Sequence, residues 1–268
     1  MLRPALIASY LYCCLRTGAA PWRYFQLNAP WFDAENRLFS KQRMDSSIPP
    51  EWRLRQLPLA DAESWHRWPA FLKPEWGQNG RGIHIARDAG EYRRKREELL
   101  QARIPYLVQE SAPGKREFEL FYVRHAAEPA RPAVLSLTET VNGNGDTWPI
   151  HSIFNQGTTY LDITHELSRG QLDSLWAMME RLGPFRIARI GLRSDSLQAL
   201  LKGEFRIIEI NLFVPLPLAL LDGRKSLRER QRFIARSMAA LAEATRALPP
   251  DQPRKPIFWP MLLLNTRL

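Results

Sequence analysis

Glu209 and Asn211 close the run Gly203-Glu-Phe-Arg-Ile-Ile-Glu-Ile-Asn211, whose β-branched residues and alternation predict a strand. On that reading Phe205, Ile207, Glu209 and Asn211 share one face, and Arg206, Ile208 and Ile210 the other. The two oxygen donors then lie roughly 6.6 Å apart along the strand. That spacing suits one or two hard cations such as Mg²⁺, with the glutamate able to bridge. Taken alone, the pair reads first as a glutamate paired to a neighbouring arginine and an asparagine starting a turn, and only its context favours the metal.

Lys73 is the next group with chemical potential. It sits at the end of a short apolar run and precedes the loop Glu75-Trp-Gly77-Gln-Asn-Gly80-Arg-Gly82. Glycines let backbone N–H groups turn toward anionic oxygens, and the lysine adds a point charge, so the stretch suits a lid over phosphates. No Gly-Lys-Ser/Thr closes it and a strand follows it, so it is not the Walker loop. An ordinary β-turn beside an exposed lysine is the competing reading. Farther on, Tyr106-Leu-Val-Gln109-Glu110 runs into Ser111 and Ala112. Backbone groups there suit an adenine edge, with Glu110 accepting the exocyclic amine, and Glu117 is placed for ribose hydroxyls. An exposed strand-end carboxylate is the alternative for Glu110.

The elements that would position these groups follow from periodicity. Strands are predicted at 70–74, 83–86, 105–109, 117–124, 133–138, 186–192 and 204–211, the fourth and fifth forming a hairpin. Asp88-x-x-Glu91 and Ser226-x-x-Glu229 have capping-box spacing at the starts of two helices. Leu172, Leu175, Trp176, Met179 and Leu182 recur at helical spacing. Before residue 65 the aromatic patch Trp22-Arg-Tyr24-Phe25 and the Ile48-Pro49-Pro50 break read as irregular, connecting structure. The proline-rich tail packs across the surface.

At 268 residues the chain holds one large domain or two small ones, and 45% hydrophobic with 25% charged residues is ordinary globular composition. A net charge of +10, from 38 Lys+Arg against 28 Asp+Glu, implies affinity for anions. The densest basic run, Arg93-Arg94-Lys95-Arg96, falls inside a helix and reads as a solvated face. No aromatic-and-basic recognition strand occurs, so nucleic acid is not the expected partner. Cys13 and Cys14 are adjacent, which gives neither a disulfide framework nor a metal spacing and fits a reducing, cytoplasmic setting. The apolar run 5–15 is too short to span a bilayer and reads as a buried helix or strand rather than a targeting segment. Ser111 and Ser152 lack a His/Asp partnership, so no hydrolase triad is expected.

The order of these parts resembles the ATP-grasp superfamily, which includes D-alanine–D-alanine ligase, glutathione synthetase and carbamoyl-phosphate synthetase. The pieces that carry the resemblance are Phe-Leu-Lys73-Pro-Glu-Trp-Gly-Gln-Asn-Gly80-Arg-Gly82-Ile83, then Leu-Val-Gln109-Glu110, Gly114-Lys-Arg-Glu117-Phe, Arg189-Ile-Gly191 and Ile208-Glu209-Ile-Asn211, within about residues 40 to 222. The resemblance implies an α+β fold of two lobes with the nucleotide between two antiparallel sheets. It divides the chain into an N-terminal segment at 1–65, a small lobe at 66–112, a large lobe at 113–230, and a C-terminal helix and tail at 231–268.

The same resemblance implies ATP and Mg²⁺. Lys73, with Lys41 as a second lysine and Gly80 and Gly82 in the loop, would contact phosphates. Gln109, Glu110, Ser111 and Ala112 would line the adenine, and Glu117 would bind the ribose. Glu209 and Asn211 would hold the metal, and Arg189 with Lys73 would carry the catalytic charge. Gly143-Asn-Gly-Asp146 resembles a Gly-Asp-Gly turn that borders the acceptor in some amino-acid ligases.

The expected activity is an ATP- and Mg²⁺-dependent ligase that activates a small-molecule carboxylate as an acyl phosphate for attack by an amine, with a homodimer as one possible assembly. Two other readings stand beside it: a degenerate protein that binds nucleotide without turnover, and a phosphotransferase on the same fold. Two departures motivate them. The family has an acidic metal ligand two residues beyond the arginine, where this chain has Gly191, and Asp195 is the nearest acid that follows. The domain that precedes the lobes in the family is reduced to a short segment.

Overall fold

The computed structural model describes residues 2–77, 80–145, 148, 150 and 156–265. In chain order the elements are α1 (Leu2–Thr17), α2 (Lys41–Asp45), β1 (Gln56–Pro58), β2 (Ala70–Pro74), β3 (His84–Ala86), α3 (Ala89–Leu100), β4 (Tyr106–Glu110) and β5 (Arg116–Arg124). They continue with β6 (Pro132–Asn142), β7 (Thr158–Asp162), α4 (Arg169–Glu180), β8 (Ile187–Ser194), α5 (Leu197–Leu201), β9 (Arg206–Asn211), α6 (Leu227–Arg246) and α7 (Phe258–Asn265). Four strands form a small antiparallel sheet in the order β1-β4-β2-β3, and five form a large one in the order β7-β6-β5-β8-β9.

Alternation decides what each sheet face does. In the small sheet Ala70, Leu72, Ala86 and Val108 pack with Tyr92 and Leu99 of α3. Phe71, Lys73 and Gln109, of opposite parity, turn to the other side. On β5 the even residues Phe118, Leu120 and Tyr122 join Ala188, Ile190 and Leu192 of β8 in the main core. The odd residues split by height. Phe121, Val123 and Ile187 are covered by α6 and by Tyr10 and Cys14 of α1, whereas Glu117, Glu119, Arg189, Gly191 and Arg193 are left to face the small sheet. The cleft lies between those two uncovered faces.

β9 departs from simple alternation. Gly191 pairs with Glu209 but Leu192 pairs with Ile207, so Ile208 is an extra residue at a β-bulge. The bulge shifts parity: Phe205 and Ile207 face the core together with Ile210 and Leu212, while Ile208 and Glu209 line the cleft. Strict alternation, which placed Phe205 and Ile207 on the face of Glu209, is thereby corrected.

The first 65 residues buttress both lobes. β1 pairs with β4 and extends the small sheet. Trp52 stacks on Phe205 with ring centroids 4.8 Å apart and donates from Nε1 to the Gly203 carbonyl at 2.9 Å. The apolar run near the start is α1, with Tyr10 and Cys14 buried and Ile7, Leu11, Tyr12 and Leu15 exposed. Among the described residues no helix is long and apolar enough to cross a membrane. The expected capping boxes differ in detail: Ser226 and Glu229 make the reciprocal pair, while Asp88 accepts from the Gly90 and Glu91 amides and Glu91 accepts instead from the Arg87 amide.

Gly114, on the link from β4 to β5, has φ +105°, and a Cβ there would lie 2.7 Å from the Ser194 backbone. Neither the torsion nor the approach tolerates a side chain. Gly114→Ala is expected to destabilise the protein by about 1–3 kcal/mol, read as a lower urea midpoint with an unchanged slope.

Candidate functional site

One cleft, open to solvent, lies between the two sheets. Its walls include Lys73, Gly80, Gln109, Glu110, Ala112, Glu117, Arg189 and Glu209 from separate stretches of the chain. Lys41 stands at an adjoining recess with Lys73, Gln109 and Glu209, its Nζ 4.0 Å from Glu209 Oε1 and donating to the Pro74 carbonyl at 2.7 Å. Ser111, Gly82 and Asn211 are not on the cleft wall. Ser111 is half-buried with its amide on the Pro69 carbonyl, Gly82 turns at φ +69° beside Tyr106, and Asn211 is buried opposite Arg189. Asp146 lies outside the described residues.

Lys73 is held rather than loose. Its Nζ donates to Gln109 Oε1 at 2.7 Å and to the Ile208 carbonyl at 3.3 Å, so it ties the two sheets together across the cleft. Glu110 is also committed: its carboxylate accepts from the Arg55 amide at 2.8 Å and from Arg67 at 2.7 Å. The side chain expected to accept an amine therefore already has its partners, and the Glu110 amide likewise donates to the Arg55 carbonyl at 3.0 Å. Beside Lys41, Ser40 donates to Glu75 Oε1.

Several cleft residues escaped the sequence reading. Glu119 is two residues beyond Glu117, and Arg193 two beyond Gly191, so alternation was the signal that could have found both. Thr140 of β6 and Tyr160 of β7 complete that wall. Glu117, Glu119 and Glu209 thus share one wall region with Lys73, Arg189 and Arg193, and Lys41 stands in the recess beside them.

The crowding shows in the acid–base balance. Burial, and then the neighbouring Glu119 charge, push Glu117 up to about 8. Burial raises Glu119 as well, against the pull of Arg189. Burial lowers Lys73 to about 8, although the Glu209 charge opposes the shift. Lys41 is lowered by burial too. The sign for an anionic ligand follows. As pH rises through about 8, Lys73 loses its charge and Glu117 gains one, so affinity for an anionic ligand such as ADP should fall above that pH by up to about tenfold per unit for each group. Lys73→Arg, which stays charged, should flatten the decline; calorimetric titrations from pH 7 to 9.5 measure both.

The donor set can be tested against a hard cation. Glu119 Oε2 is a buried carboxylate oxygen with no hydrogen-bond partner among the described residues, and Glu209 Oε1 lies at the long distance of 4.0 Å from Lys41 Nζ. Among the described residues no three His, Cys, Asp or Glu side chains form a cage of their own. Oxygen donors of this kind fit a Mg²⁺ ion that takes its remaining ligands from phosphate and water.

No protein-family model matches the chain, and no curated protein matches its sequence. Solved structures match its fold. The D-Ala:D-Ser ligase VanG from Enterococcus faecalis covers 77% of this chain and 60% of its own, at 12% identity and a TM-score of 0.50. The D-alanine–D-alanine ligase from Bacillus anthracis, in complex with ATP, covers 77% and 66%, at 13% identity and a TM-score of 0.49. The L-amino acid ligase from Bacillus licheniformis covers 74% and 47%, at 16% identity and a TM-score of 0.47. The chain thus spans about half to two thirds of the length of these structures. With two antiparallel sheets that face each other across one cleft, flanked by helices on their outer sides, this chain has the ATP-grasp fold.

Proposed function

We propose that the chain is an ATP-dependent ligase that joins a small-molecule carboxylate to an amine. The observation that carries this reading is the convergence of Lys73, Glu117, Arg189 and Glu209 on one intersheet cleft. Gln109, Glu110 and Ala112 line its adenine end, Glu117 takes the ribose, and Lys73 and Lys41 meet the phosphates, with Gly80 and Gly82 in the loop above them. Glu209 would hold Mg²⁺ from the cleft wall, with Asn211 two residues on and behind that wall, and the ion when bound would neutralise charge on the phosphate oxygens. Arg189 steadies charge that develops on the transferred phosphoryl group.

The carboxylate oxygen attacks the terminal phosphorus and ADP leaves; the amine nitrogen then attacks the acyl carbon and phosphate leaves. The protein contributes position and charge rather than a covalent nucleophile. Release of ADP and phosphate across pooled amino acids tests the reading. Release that needs both a carboxylate and an amine supports it, and ATP binding with no release under any pairing contradicts it.

One observation favours a second reading, nucleotide binding without turnover. A Cβ on Gly191 would lie 2.9 Å from Ile208 Cγ1, so an apolar side chain covers the position where the family carries an acid.

A further inference from the structure

We infer that Glu119 supplies the metal-binding carboxylate that position 191 lacks, moved one strand across the sheet. This rests on the nucleotide reading of the cleft and deepens it. Three strands carry one row: Glu119 of β5 lies directly opposite Gly191 of β8, and Gly191 lies directly opposite Glu209 of β9. The two glutamates are two strand spacings apart, about 9–10 Å between backbones, and both line the cleft. Because the residue between them is glycine, no side chain at 191 stands between the two carboxylates.

The bulge explains why the acid is not on β8. Ile208, the extra residue, leans its side chain to within 2.9 Å of where a Cβ at 191 would be. An aspartate there would have to displace a branched apolar group.

Its partners fit the role. Oε2 of Glu119 lies 3.3 Å from Arg189 Nε, an ion-pair distance, yet neither atom has a hydrogen-bond partner. A buried carboxylate oxygen left in that condition is costly unless another positive centre completes it. Thr140, only 5% exposed and on the same wall, has an Oγ1 that is likewise without a partner. A carboxylate oxygen held by an ion pair without a hydrogen bond, and a hydroxyl oxygen with no partner, on one wall of the cleft suit a hydrated cation carried in with the nucleotide.

Mn²⁺ and ADP are the probes. In the presence of saturating ADP, Glu119→Gln should weaken Mn²⁺ binding at least tenfold by electron paramagnetic resonance, and should cut the gain in ADP affinity that Mn²⁺ confers. Mn²⁺ affinity within twofold of wild type in the folded variant overturns the assignment. Gly191→Asp should add no Mn²⁺ affinity; a tenfold gain there returns the ligand role to β8 and also overturns it.

Should the glutamine variant not fold, wild-type protein labelled with ¹³C at glutamate carboxyls gives the same answer. Mn²⁺ hyperfine coupling to two glutamates is expected, and coupling to Glu209 alone overturns the inference. Wild type that binds no ADP, with or without Mn²⁺, sinks the nucleotide reading and this assignment together. Mn²⁺-dependent ADP binding that Glu119→Gln retains sinks the assignment only.

Discussion

Lys73→Met weakens ADP binding by about 2–4 kcal/mol, or roughly thirty- to thousand-fold, while the protein stays folded. The lysine is buried on β2, its Nζ bonded to Gln109 on one sheet and to the Ile208 carbonyl on the other. Burial already disfavours its charge, which lies low at about 8. Replacing the cation by an apolar side chain of similar length removes that burial penalty but leaves the Gln109 and Ile208 acceptors unpaired, so folding loses about 1–3 kcal/mol. Binding is different, because the same low-dielectric position magnifies the attraction between an ammonium and a phosphate. The variant also frees Gln109 Oε1 and leaves Glu209 and Glu117 with one cation fewer nearby, which sharpens repulsion toward an incoming anion. Calorimetric titration with ADP measures the loss. An affinity within threefold of wild type would place the phosphates elsewhere.

Arg189→Lys should act on the rate rather than on binding. The guanidinium is 7% exposed and lies in register opposite Asn211 on one side and Phe121 on the other. It is a rigid planar donor with several N–H groups, and a lysine ammonium reproduces its charge but not its fork. If it meets charge that appears only as the phosphoryl group is transferred, its loss lowers kcat by about 10²–10³, with nucleotide KM changed less than about threefold. The paired test is steady-state ADP release alongside calorimetric ADP affinity. Equal losses in both would make Arg189 a binding residue instead.

The sequence carried the large plan of the fold because that plan is written in parity. The alternation of Phe118, Leu120 and Tyr122 with Glu117 and Glu119 is visible before any coordinates, and so is the 3.6-residue spacing of Leu172, Leu175 and Met179 on α4. What was lost is what parity cannot express. The bulge at Ile208 moves one residue out of phase and so sends Glu209 to the cleft while Ile207 stays in the core. β1 is a three-residue edge strand containing a proline, too short for any period to register. Glu110 was read as a free carboxylate because its partners, Arg55 and Arg67, come from the N-terminal segment and its junction with the small lobe. Gly191 was conspicuous as a missing acid, but only the sheet register reveals that Glu119 stands beside it.

Hydrogen exchange, with and without ADP and Mg²⁺, reads the central claim most directly, since that claim places one nucleotide against both sheets at once. Saturating ligand should slow exchange together in peptides covering β2 and β4 of the small sheet and β5, β8 and β9 of the large one. Protection confined to a single sheet, or none at saturating ligand, would contradict it.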